Sequence, residues 1–206
     1  ELGDVYKRQL NGSSILNGVS CEFREGETVG IIGPNGSGKT TLFNCISGFV
    51  PSTSGDIELQ GSSLTHLSPH TRARRGLGRV FQNFGIFREM TLLENMLVAL
   101  ESRRDNKRSL FPWSRRTKEN EHAALDYLSE VNLANKAYQK AGSLSGGQMR
   151  LLEIVRTLAL GAEVFLLDEP TAGVSPRMKE DIVTLIRRLQ SLHKTILIIE
   201  HDITFI

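Results

Sequence analysis

The chain has 206 residues, of which 39% are hydrophobic and 23% charged, and its formal net charge is +2. That is enough for one globular domain with an inserted lobe, and too little positive charge to point to a nucleic-acid partner. No run of about 18 apolar residues is present to cross a membrane, and the polar opening "ELGDVYKRQ" does not read as a signal peptide.

In chain order, "ETVGIIG" (27–33) reads as a short buried strand. "PNGSG" follows as a turn, and "KTTLFNCISGF" as a helix stopped near Gly48. "DIELQG" (56–61) alternates like a strand, and "LTHLSPHTRARRG" reads as a short helix between Pro69 and Gly76. "LGRVFQ" (77–82) reads as a strand, and "TLLENMLVALES" (91–102) as an amphipathic helix. Residues 103–118, "RRDNKRSLFPWSRRTK", interrupt the pattern with a basic stretch, after which "ENEHAALDYLSEVNL" resumes a helix. "LSGGQMRLLEIVRTLAL" (144–160) opens a further helix on a polar, glycine-rich start. "AEVFLLDEP" (162–170) is an apolar strand ending in two carboxylates. "SPRMKEDIVTLIRRLQSL" is a helix with Pro176 in its first turn, and "KTILIIEHD" is the last strand. Strands alternating with helices predict an α/β fold with a mostly parallel sheet. Cys21 and Cys45 sit in apolar stretches without metal-ligand spacing and are expected as reduced core residues of a cytosolic protein. His66, His70, His122 and His193 fall in polar contexts and are expected in solvent.

Three stretches carry chemistry. "GPNGSGKT" (33–40) fits G-x-x-x-x-G-K-[ST] between a strand and a helix. Backbone N–H groups must wrap a polyphosphate closely there, so bulk is excluded at Gly33, Gly36 and Gly38. Lys39 is placed to reach the β- and γ-phosphates, and the Thr40 hydroxyl to ligate Mg²⁺. The predicted nucleotide-binding span is Gly33, Pro34, Asn35, Gly36, Ser37, Gly38, Lys39, Thr40 and Thr41. "VFLLDEP" (164–170) brings Asp168 to the carboxyl end of a strand, where α/β sheets bind ligands. Asp168 is expected in the Mg²⁺ shell, and Glu169 as the general base that polarises an attacking water. A third stretch, Ser145, Gly146 and Gly147, opens a helix as a second anion site. An ordinary capped helix start is the alternative there.

The phosphate loop, Gln82 after a strand, "LSGGQ" at 144–148, "LLDEP" at 166–170 and His201 after the last strand follow the order and approximate spacing of ABC-transporter ATPase domains. The resemblance covers about residues 13–206. It implies a P-loop NTPase core with an antiparallel N-terminal β part and an inserted helical subdomain. The chain is then one ABC ATPase domain, 1–206, C-terminally incomplete. Its ATP-binding core is expected at about 13–85 and 159–206, and its helical subdomain at about 86–158. In that family two ATPase domains pair head to tail. The resemblance therefore implies that Ser145, Gly146, Gly147 and Gln148 serve an ATP held by the partner. It also implies that Gln82 contacts Mg²⁺ and the attacking water, and that His201 hydrogen-bonds the γ-phosphate and orients the water of Glu169.

"LFNCISGF", "SPHTRARRGLGRVFQ", "IFREMTLLENMLVAL" and "EPTAGVSP" look like the ATPase subunits of bacterial branched-chain amino acid importers. Urea and short-chain amide importers share the pattern. The lipopolysaccharide-export ATPase is a near relative, and a non-transport ABC ATPase is a more distant alternative. The implied partners are a second ATPase, identical or related, transmembrane permeases and a periplasmic solute-binding protein, at the cytoplasmic face of the inner membrane. Ser175 stands where many members have aspartate, Leu10 aligns near the usual adenine-stacking aromatic, and the usual segment after His201 is absent. The basic stretch 103–118 is expected to be a solvated loop, with contact to lipid headgroups or to the membrane subunit as its alternative.

Overall fold

The computed structural model describes residues 6–10, 13–81, 85–103 and 113–200, with side chains from residue 15 on and omitting those of 113–117. Eight strands and six α-helices are described: β1 Tyr6–Leu10, β2 Ser13–Val19, β3 Thr28–Ile31, α1 Lys39–Ile46, β4 Glu58–Leu59, β5 Ser62–Ser63, α2 Pro69–Arg74, β6 Leu77–Val80, α3 Leu92–Ser102, α4 Trp113–Glu130, α5 Gly146–Ala159, β7 Val164–Asp168, α6 Pro176–Ser191 and β8 Thr195–Ile199.

Two compact units form. The first takes residues 1–79, 163–170 and 188–206, and the second 80–162 and 171–187. The main sheet has the order β3-β8-β7-β6, and β8 pairs parallel with both β3 and β7. β7 and β8 are buried at every position, which explains their unbroken apolar sequences. β1 and β2 pair antiparallel. In the first unit Phe43, Cys45 and Ile46 of α1 pack with Leu166, Leu197 and Ile199 of the sheet, so the helix behind the phosphate loop is seated on the strand that ends in Asp168. In the second unit α3, α4 and α5 pack against one another and bury Leu92, Met96, Leu128 and Leu152.

Two expectations need correction. The strand expected over 56–61 is the first arm of a small hairpin, β4–β5. Gln60 and Gly61 between the arms have φ of +50° and +70°, the pair of left-handed residues that a tight two-residue hairpin turn requires. The basic stretch does not extend to residue 118 as a loop, because α4 begins at Trp113. Arginine and lysine are good helix formers, so a run of charge does not by itself end a helix. Cys21 and Cys45 are both free, and His66, His70, His122 and His193 are all exposed.

Candidate functional site

The phosphate loop runs from β3 into α1. Gly36 and Gly38 have φ of +80° and +93°, a conformation that residues with a Cβ adopt at a cost. Space adds a second reason at Gly38, where a Cβ would lie 3.0 Å from Leu16 and 3.2 Å from the Ile15 backbone oxygen. A Cβ at Gly33 would lie 3.0 Å from Ser37 Oγ. α1 starts at Lys39 with no side-chain cap and no acidic residue in its first turn, so its N-terminal dipole is left for an anion. Lys39 Nζ donates to the carbonyls of Gly33 and Pro34 at 2.8 and 2.9 Å, which holds its charge over the loop.

The far end of α1 is fixed by a residue that the motifs did not single out. Arg72 of α2 is 2% exposed and donates to the carbonyls of Cys45 and Ile46, each at 2.7 Å, and to those of Leu67 and Thr65 at 3.0 and 2.9 Å. A buried guanidinium thus satisfies the last carbonyls of the helix and complements its negative end. Gly48 makes room for it, because a Cβ there would come 2.8 Å from Arg72 Nε.

β7 delivers Asp168 beside this loop, 1% exposed. Thr40 Oγ1 stands 3.5 Å from Asp168 Oδ1. A hydroxyl and a carboxylate so placed are hard oxygen donors that fit a magnesium ion, which commonly takes one or two protein oxygens and the phosphates of its nucleotide. Among the described residues no group of three or more His, Cys, Asp or Glu gathers elsewhere to hold a metal. Arg79 of β6 reaches the other carboxylate oxygen, with Nη2 2.7 Å from Asp168 Oδ2. Sequence reasoning passed over Arg79, although a charged residue in a short buried strand needs a partner. Glu169 follows Asp168 with φ +47° while its N–H is bonded to the Ile199 carbonyl of β8 at 2.9 Å. A left-handed conformation at a glutamate costs about 1 kcal/mol or more and occurs often where a side chain must be aimed.

Lys39, Thr40, Asp168 and Glu169 all belong to the first unit, and Ser145–Gln148 belong to the second. In the second unit Ser145 is the cap of α5: its Oγ accepts from Gln148 N–H at 3.3 Å, and Gln148 Oε1 accepts from Ser145 N–H at 3.2 Å. Lys136 Nζ also donates to Gln148 Oε1 at 3.2 Å. Ser145 is exposed, whereas Gly147 is buried, and a Cβ on Gly147 would lie 2.7 Å from Met178 Cγ. Ser175 caps the following helix, with Oγ 3.5 Å from Met178 N. Gln82 and His201 lie outside the described residues, and so does the side chain of Leu10.

The helix that begins at Ser145 carries a second feature absent from the motif reading. Glu153 is 1% exposed, and its Oε1 accepts the N–H groups of Phe81 and Gly85 at 3.1 and 2.9 Å. Arg150 Nη1 pairs with Glu153 Oε2 at 2.8 Å and also donates to the Phe81 carbonyl. Arg156 donates to the Gly85 carbonyl, and its guanidinium lies 5.2 Å from the centre of the Phe87 ring. Burial pushes the Glu153 carboxyl up from its ordinary range, against the pull of Arg150, the two backbone donors and Arg156. These three side chains grip the backbone on both sides of residues 82–84.

A family model described as ABC transporter matches residues 16–172. The high-affinity branched-chain amino acid transport ATP-binding protein BraF of Pseudomonas aeruginosa is 42% identical over 207 residues, which cover 96% of this chain and 80% of BraF. The lipopolysaccharide export system ATP-binding protein LptB of Haemophilus influenzae is 38% identical over 196 residues, 95% of this chain and 78% of LptB. Among solved structures, the dimeric post-hydrolysis state of the ATP-binding cassette MJ0796 bound to ADP and Pi has a TM-score of 0.83 at 29% identity, covering 99% of this chain and 88% of that one.

Proposed function

Because the chain belongs to the ABC transporter family as an ATP-binding subunit, we propose that its ATP hydrolysis powers import of branched-chain amino acids or closely related small solutes. The observation that carries the chemistry is the convergence of Thr40 and Asp168 beside the lysine loop, with Glu169 next in the chain. Lys39 and the N–H groups of the loop and of α1 bind and orient the triphosphate. Thr40 and Asp168 would hold Mg²⁺, which would supply charge neutralisation to the transferring phosphate. Glu169 takes a proton from the attacking water, with Gln82 and His201 completing the arrangement around the γ-phosphate. Catalysis is then positioning and electrostatic stabilisation.

Ser145, Gly146, Gly147 and Gln148 form the wall presented to a nucleotide on a second ATPase subunit, identical or related. The exposed hydroxyl of Ser145 at a helix N-terminus supports that role. The ATP-binding core is taken at about 13–85 and 159–206 and the helical subdomain at about 86–158, whereas the compact units group 171–187 with 80–162. The subunit pair works beneath transmembrane permeases at the cytoplasmic face of the inner membrane and is fed by a periplasmic solute-binding protein. Among the described residues no helix is long and apolar enough to cross a membrane.

Import is preferred on the similarity to BraF, and the likeness to LptB keeps lipopolysaccharide export as the second reading. The test is reconstitution of the subunit with its genomically adjacent permeases in proteoliposomes. ATP-dependent uptake of leucine, isoleucine or valine, with ATP hydrolysis stimulated by the loaded binding protein, is the expected result. Hydrolysis indifferent to every amino acid and stimulated by lipopolysaccharide would move the assignment to export.

A further inference from the structure

Asp168 is held on two sides. Its Oδ1 faces Thr40 Oγ1 at 3.5 Å, and its Oδ2 accepts from Arg79 Nη2 at 2.7 Å. The arginine is as deeply placed as the aspartate, with side-chain exposures of 5% and 1%. Its guanidinium carbon lies 4.9 Å from the centre of the Phe43 ring, and the same Nη2 is 3.4 Å from Asn44 Oδ1. Phe43 and Asn44 belong to α1, so one side chain from β6 ties the carboxylate at the end of β7 to the helix that begins at Lys39.

Two consequences follow from charge and geometry. Rotation of the carboxylate about its last bond would break the pair with Arg79, so the edge carrying Oδ1 is kept toward Thr40. The carboxylate charge is also already balanced by a guanidinium 2.7 Å away. A balanced carboxylate attracts a dication less than an isolated one does, so the cation needs the phosphate charge of a nucleotide to complete its site. We propose that Arg79 is a positioning residue for Asp168: it fixes the plane of the carboxylate so that one oxygen faces Thr40, and it denies the nucleotide-free site to divalent cations, so that metal enters only with nucleotide. This rests on the reading of Asp168 and Thr40 as the metal-holding pair.

The experiment measures Mn²⁺ binding by electron paramagnetic resonance, and ADP affinity with and without Mg²⁺, for the full chain and its variants Arg79→Met, Arg79→Lys, Asp168→Asn and Thr40→Ala. Thermal melts monitor folding. The unaltered chain is expected to bind Mn²⁺ only when ADP is present. Arg79→Met is expected to bind Mn²⁺ about tenfold or more tightly without nucleotide, a change of the size usual for groups that support metal ligands. Arg79→Lys keeps the charge and loses the planar fork. It is expected to exclude Mn²⁺ as the parent does, yet to lose several-fold of the gain in ADP affinity that Mg²⁺ gives. Should Arg79→Met fail to fold, Arg79→Lys decides alone. Folded Arg79 variants whose Mn²⁺ and ADP titrations superimpose on the parent overturn the proposal, provided Asp168→Asn and Thr40→Ala abolish the Mg²⁺-dependent gain. If those two variants leave the gain intact, the metal-site reading itself fails, and the proposal with it.

Discussion

Glu169 leaves β7 in a left-handed conformation, one residue beyond a carboxylate that is buried and paired. The adjacent acids thus meet different surroundings: Asp168 is locked among Arg79 and Thr40, while Glu169 is partly exposed and aimed by its backbone. Replacing Glu169 with glutamine keeps shape and removes basicity. The expected result is a kcat lower by about 10²–10⁴ with ATP affinity retained, read from steady-state phosphate release beside equilibrium nucleotide binding. Much at this scale was legible, because the glycines of 33–40 and the paired acids sit where backbone approach and strand ends demand those residue types. Arg79 and Arg72 were not, since each acts by meeting a partner distant in sequence, 89 residues away for Arg79 and Asp168. Gly147 shows the reverse. It reads as part of an anion site, and the structure adds a packing requirement against Met178 that spacing cannot reveal.

At the scale of elements, α5 joins two features usually treated apart. Its start is a capping box at Ser145 and Gln148, and its middle carries the buried Arg150 and Glu153 and the half-buried Arg156. The apolar period of 151–159 was legible and gave the helix. Positions 150, 153 and 156 are three apart, so they share one face, yet the helical period singles out only the apolar positions and leaves these charges without a role. Removing the carboxylate takes an acceptor away from Arg150 and from the N–H groups of Phe81 and Gly85. Glu153→Ala is therefore expected to cost about 3–5 kcal/mol, measured by urea denaturation, whereas Thr91→Ala, which removes the cap of α3, should cost only about 1 kcal/mol. Similar losses for the two variants would show that the buried network contributes little. The β4–β5 hairpin was misread because a two-residue strand is too short for alternation to register, and only the left-handed Gln60-Gly61 pair marks the turn.

For the whole molecule, the chain divides into a unit that holds the lysine loop with its two acids and a unit that holds the Ser145 helix start. The alternation of strands and helices announced an α/β fold. The strand order β3-β8-β7-β6 was not legible, because strands buried on both faces are plain apolar runs that carry no record of their neighbours. A second anion-binding helix start would be superfluous in a subunit acting alone, whose lysine loop would already grip the phosphates. We propose that it serves the nucleotide of a second subunit, which is most directly tested by mixing two disabled variants. Lys39→Ala spoils a subunit's own loop, and Ser145→Arg spoils only what it offers its partner. Each alone is expected to hydrolyse ATP at a small fraction of the parent rate, and the mixture to recover activity, because one of its two shared sites is intact. Ser145→Arg turning over at the parent rate by itself, or a mixture no more active than its components, would contradict the account.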